Sequence, residues 1–152
     1  MADLILRRVG KVCLLAQEKP NDPGQFFQVG PGLWVSKEFA DWILSAAKPV
    51  VVPETVIASF DLMRPAKDAK IRAALPAEHL FGDVSAFCAY LEGMLHRQAN
   101  GEEGDLLVNG FMSVFYLCVC GEVFAVHVHW FSDHRQWYVY VFHLLDTRWT
   151  DG

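Results

Sequence analysis

The sequence predicts an α+β fold, an antiparallel β-meander in the C-terminal half with helices packed on one face, and three observations predict it. From Leu106 onward apolar residues recur at every second position, in three runs at about 111–119, 122–131 and 136–144, the period of strands with one buried face. Turn chemistry separates the runs: Cys120-Gly121 between the first two, and a loop around "SDHR" before the third. The pieces come mostly helices first and consecutive strands afterwards, not in the alternation that makes a parallel sheet.

From the N-terminus, "LILRRVGKVCLLA" (4–16) places Ile5, Val9 and Val12 at helical spacing, but Gly10 suits a turn between two short strands, and strands are the preferred reading. "QEKPNDPG" (17–24) has the composition of a loop, and "FFQVGPGLWVS" reads as two short extended pieces around a Gly30-Pro31-Gly32 turn. A first helix follows: Ser36 caps it, Phe39, Trp42, Ile43 and Ala46 form its apolar stripe, and Pro49 stops it just past Lys48. "VVVPETVIASFDLM" (50–63) is β-branched and reads as a strand broken by Pro53. A short helix is expected over 64–76, between Pro65 and Pro76. The strongest helix is 84–98, where Asp83 can cap the N-terminus and Val84, Phe87, Cys88, Leu91, Met94 and Leu95 recur at three and four. Asn100, Gly101 and Gly104 end it in an acidic loop whose Glu102, Glu103 and Asp105 read as a solvated turn, because they lack the alternating oxygen ligands of a calcium loop.

A chain of 152 residues has the length of one globular domain, 1–152, able to bury a core without disulfide or metal staples. Its net charge of −5 offers no basic stripe for a phosphate backbone, so nucleic acid is not an expected partner. No run of eighteen or more apolar residues occurs, and the N-terminal apolar stretch is interrupted by Arg7, Arg8 and Lys11; neither a membrane span nor a signal peptide is expected, and a cytoplasmic protein with reduced cysteines is.

The chemistry concentrates in residues 122–145, "EVFAVHVHWFSDHRQWYVYVFHLL", which hold four of the six histidines. With a two-residue turn at Cys120-Gly121 and a four-residue loop at 132–135, Val114 and Tyr140 flank His127, and Met112 and Tyr138 flank His129. One sheet face then carries Phe111, Phe115, Leu117, Phe124, Val126, Val128, Trp130, Trp137, Val139 and Val141, too apolar for water, and is assigned to the core. The other carries Met112, Val114, Tyr116, Cys118, Ala125, His127, His129, Tyr138, Tyr140 and Phe142, and is assigned to water or a partner.

His127 and His129 share a strand face roughly 6.6 Å apart, as zinc-chelating pairs do, but the register supplies no third carboxylate, thiolate or imidazole. Cys118 lies opposite Val123, roughly 13 Å along the strand from His127, so Cys118-Val119-Cys120 cannot share an ion with the histidines, and Cys118 is not served by His127 as a base. No Gly-x-Ser-x-Gly elbow, dinucleotide fingerprint or phosphate loop occurs. His96, four residues after Glu92, suits a surface ion pair. No metal, cofactor or catalytic residue is therefore expected, and an enzyme is the lesser expectation.

What remains is a small regulatory binding protein of the immunity, anti-defence or adaptor kind, contacting a protein partner or a second copy through Met112, Tyr116, His127, His129, Tyr138 and Tyr140. The alternative is a small-molecule enzyme or carrier with a His/Tyr pocket between the sheet and the helices. A deep pocket on that face would favour the alternative.

Overall fold

The computed structural model describes residues 6–14, 16, 22–62, 80–81, 83–108, 112–119 and 121–143. The elements run β1 (Leu6–Leu14), α1 (Pro23–Phe26), β2 (Leu33–Val35), α2 (Lys37–Trp42), a 3₁₀ turn (Leu44–Ala46), β3 (Thr55–Leu62), β4 (Leu80–Phe81), α3 (Val84–Arg97), β5 (Ser113–Val119), β6 (Glu122–Phe131) and β7 (Gln136–His143). The fold is α+β. β1 and β3 form an antiparallel pair, and the remaining strands form a five-stranded sheet in the order β2-β7-β6-β5-β4.

Three strands of that sheet are the expected meander, and their register is the one that turn length dictates. Val119 pairs with Glu122 and Val114 with His127 across the first hairpin; His127 pairs with Tyr140, His129 with Tyr138 and Trp130 with Trp137 across the second. Gly121, at φ +82, takes the left-handed position that a tight hairpin needs. The sheet is mixed, however, because short parallel strands flank the meander: Leu33–Val35 beside Trp137–Val139, and Leu80–Phe81 beside Tyr116–Leu117.

The apolar face of the meander is the core face, as expected. Leu117, Val126, Val128, Trp137 and Val139 are almost completely buried, and Phe124, Trp130 and Val141 nearly so; Phe111 lies outside the described residues. They join one cluster with Phe39 of α2, its C-cap residue Ile43, and Phe87, Leu91, Met94 and Leu95 of α3. α3 is capped by Asp83, whose Oδ1 accepts from the Ala86 N–H at 3.1 Å. It is buried well beyond its apolar stripe, Glu92 included, and His96 packs on the Phe26 ring instead of completing a surface ion pair.

Several boundaries differ from expectation, each for a local reason. Within the segment expected to hold two short strands, Leu6–Leu14 is one strand; Gly10 marks a register irregularity between Arg8 and Gly10 and does not turn the chain. Residues 23–26 form a helical turn where a loop was expected, because Asp22 caps it through Gly24 N–H and Pro23 supplies a preset φ. α2 ends at Trp42, short of Lys48, and tightens into the 3₁₀ turn at the point where the Ser45 hydroxyl donates back to the Asp41 carbonyl, 2.5 Å away. β3 begins only at Thr55 because Pro53 has no N–H to pair. The helix expected over 64–76 lies outside the described residues. Among the described residues no helix is long and apolar enough to cross a membrane.

Candidate functional site

The sheet face opposite the core is where period-two patterning puts the large polar-tipped residues. The structure divides that face in two. Towards the β5–β6 turn it is covered: Tyr116 is 3%, Ala125 0% and His127 6% exposed. His127 is thus a buried residue, not the surface histidine expected; an imidazole in mid-sheet with Phe142 and Tyr140 rings 5.0 and 5.3 Å away loses most of its solvent to neighbours.

Towards the 132–135 turn the same face is open. A continuous series of rings runs from Trp34 to Tyr138 (centroids 5.3 Å), from Tyr138 to Phe131 (5.5 Å, interplanar angle 16°) and from Phe131 to His134 (4.7 Å). Parallel pairing of Trp34 with Tyr138 builds one end of the series, and the four-residue turn folds His134 back so that its Nδ1 sits 3.0 Å from the Tyr138 hydroxyl. His129 meets the Phe131 ring edge-on at 6.0 Å. Trp34 is 38%, Met112 42% and Val114 39% exposed, and Tyr138, Tyr140 and Phe131 are half-buried.

Of the six residues singled out from sequence, Met112, His129, Tyr138 and Tyr140 therefore lie on the open part or its border, and Tyr116 and His127 under cover. Met112 does not occupy the rung opposite His129, because pairing of β5 with β6 stops at Ser113–Val128. Its side chain turns instead onto His127 and Tyr140: the thioether Sδ is 3.2 Å from His127 Nδ1 and accepts from the Tyr140 hydroxyl at 2.8 Å. Burial raises the Tyr140 pKa above its ordinary value, which keeps the phenol a hydrogen-bond donor.

Trp34, Phe131 and His134 were missed. Phe131 continues the 127, 129 alternation by one step and was open to the same period-two reading. Trp34 had no such signal, because a parallel strand contributed from a hundred residues upstream leaves no local turn to fix its register.

The remaining candidate chemistry is thin. Cys88 is buried in α3, and desolvation, followed by the charges of Glu92 and Asp83, pushes its thiol up to about 12, the state of an inert structural cysteine. Cys118 pairs with Val123 and remains four residues along the strand from His127's partner Val114. Among the described residues no group of three His, Cys, Asp or Glu side chains could hold a metal ion. A groove of about 220 Å³ runs between Phe26, Leu33, Leu95, His96 and Trp137, at the opposite side of the sheet from the Tyr/His face. It is smaller than the roughly 300–1,000 Å³ of ordinary ligand pockets. Comparison with protein-family models, curated proteins and solved structures finds no match for this chain.

Proposed function

We propose that the chain is a regulatory binding protein that contacts another protein, or a second copy of itself, through the open half of its Tyr/His sheet face. The observation that carries this reading is the partly exposed ring series Trp34, Tyr138, Phe131 and His134, on the same sheet as the exposed Met112 and Val114. Single exposed apolar residues are ordinary on a protein surface, whereas a contiguous set of large ones is not. Trp and Tyr are also the side chains that carry most binding energy at interfaces, since they supply large rigid area and a polar tip that tolerates water beforehand. The alternative, a His/Tyr pocket for a small molecule, has less support: His127, His129, Tyr138 and Tyr140 do not line the groove described above.

The test uses a Trp34→Ala, Tyr138→Ala double variant that keeps the native circular dichroism spectrum. Sedimentation of the native chain measures self-association, and tagged-chain capture followed by titration measures any stoichiometric partner. The contact is expected to weaken by roughly 2 kcal/mol or more in the variant, the size of a hot-spot truncation. Equal association by the variant, or no association of either kind by the native chain, would overturn the reading.

A further inference from the structure

We infer that the occupant of the open sheet face is a second copy of this chain, oriented by reciprocal ion pairs between Asp133 of one copy and Arg135 of the other. The inference rests on the contact surface proposed above and names its partner. Two observations at the 132–135 turn carry it: a strained arginine, and two opposite charges that the turn does not join to each other.

Arg135 sits at φ +50 and, among the described residues, no other non-glycine residue has a positive φ. That conformation crowds the Cβ of an L-residue, so glycine or asparagine would hold the position at lower cost. The turn is well fixed: the His134 N–H donates to the Phe131 carbonyl at 3.2 Å and the Arg135 N–H to the Ser132 carbonyl at 3.3 Å. Yet the arginine side chain is exposed and makes no hydrogen bond, ion pair or ring contact among the described residues. A free surface arginine is ordinary; one kept in a strained conformation without an internal contact points outward, to a group that a guanidinium recognises. A carboxylate is the group that fits its donor fork best.

The carboxylate lies two residues away. Asp133 is exposed and, among the described residues, as unpaired as Arg135. The strand segments that carry the ring series, 33–35, 129–131 and 136–140, contain no Asp, Glu, Lys or Arg, so the turn sets the charge at this end of the series. A partner surface of one sign attracts one of the two residues and repels the other. A two-fold symmetric contact satisfies both, because it sets Asp133 against the other copy's Arg135 twice, with the rings of each copy facing those of the other. The rings then supply contact area and the charges at the rim fix the orientation.

The test is sedimentation equilibrium of the native chain and of two charge reversals, Asp133→Arg and Arg135→Asp, each alone and the two mixed in equal amounts. The native chain is expected to dimerise. Either reversal alone sets like charges against each other at both contacts and should weaken the dimer about tenfold or more, as two surface pairs turn from attraction to repulsion. In the mixture opposite charges face each other again, so the two variants should form a heterodimer of near-native affinity. Arg135→Gly releases the strain and removes the charge; it should weaken the dimer while leaving the denaturant midpoint of the dilute monomer no lower, which separates association from folding. A native chain that stays monomeric at millimolar concentration, an undiminished dimer in either reversal, or a mixture no tighter than its components would each overturn the inference. A monomeric native chain that still captures a different protein through Trp34 and Tyr138 would overturn it too, and would leave the contact surface standing.

Discussion

Gly101 shows how much one residue can decide. It sits at φ +78, and a Cβ added there would come within 2.2 Å of the Trp130 indole ring. Gly101→Ala combines left-handed strain of about 1–2 kcal/mol with overpacking of about 1–3 kcal/mol, and its urea midpoint should fall accordingly. Gly121 has nearly the same φ, +82, but open space around it. Gly121→Ala should therefore lose only the strain, and equal losses in the two variants would remove the indole from the explanation. Cys88 makes a second prediction at this scale. In the unfolded chain its thiol ionises around 9.0, and in the folded chain only around 12. Between those values unfolding releases a proton, so the folded state loses stability as pH rises, with a slope of up to about 1.4 kcal/mol per pH unit from this group. Below pH 9 the group contributes no pH dependence. Denaturant titrations from pH 8 to 11 should give a shallower alkaline decline for Cys88→Ala than for the native chain.

Between α3 and the meander, a single side chain organises a whole connection. Gln98 is 3% exposed; its Nε2 donates to the carbonyls of Glu102 and Leu106, and its Oε1 accepts from the Leu106 N–H. Its own carbonyl accepts from the Trp137 indole N–H at 2.7 Å. The side chain thereby closes the 98–106 loop, and the backbone pins that loop to β7. Gln98→Met preserves the volume and the indole bond but leaves a buried N–H and a buried carbonyl unpaired, at about 1–3 kcal/mol for each group. Amide exchange at Leu106 should accelerate far more than exchange in mid-α3, and equal acceleration would mean that the helix, not the loop, had been disturbed. Elements like this one explain what the sequence did and did not disclose. α3 and the three meander strands were legible because a cap, a period and short turns are local signals read within a few residues. The parallel edges β2 and β4, the early end of α2 and the Gln98 clamp were not, since each depends on partners distant in sequence or on a side chain competing for the backbone. The candidate site follows the same division: Tyr138 and His129 emerged from alternation, Trp34 only from the fold.

For the molecule as a whole, the two sheet faces are expected to make separable contributions, and two tryptophans, Trp130 on β6 and Trp34 on β2 with β7 between them, can separate them. Trp130 is 9% exposed, packs on Trp137 at 5.4 Å and belongs to the core cluster. Trp34 is 38% exposed and packs on Tyr138 at 5.3 Å on the other face. If one face holds the fold and the other meets a partner, stability and binding should respond to opposite substitutions. Trp130→Ala removes a large buried ring and should cost about 3–5 kcal/mol, seen as a lower denaturant midpoint. Trp34→Ala removes a ring that already touches water and should cost less than about 1.5 kcal/mol, the scale of one aromatic pair. Binding should reverse the order when measured well below the Trp130→Ala melting temperature: association weakened in folded Trp34→Ala and retained in folded Trp130→Ala. A Trp34→Ala midpoint as low as that of Trp130→Ala would mean that the ring series is a second core. In that case Met112, Tyr138 and Tyr140 would border packed interior rather than a surface awaiting a partner.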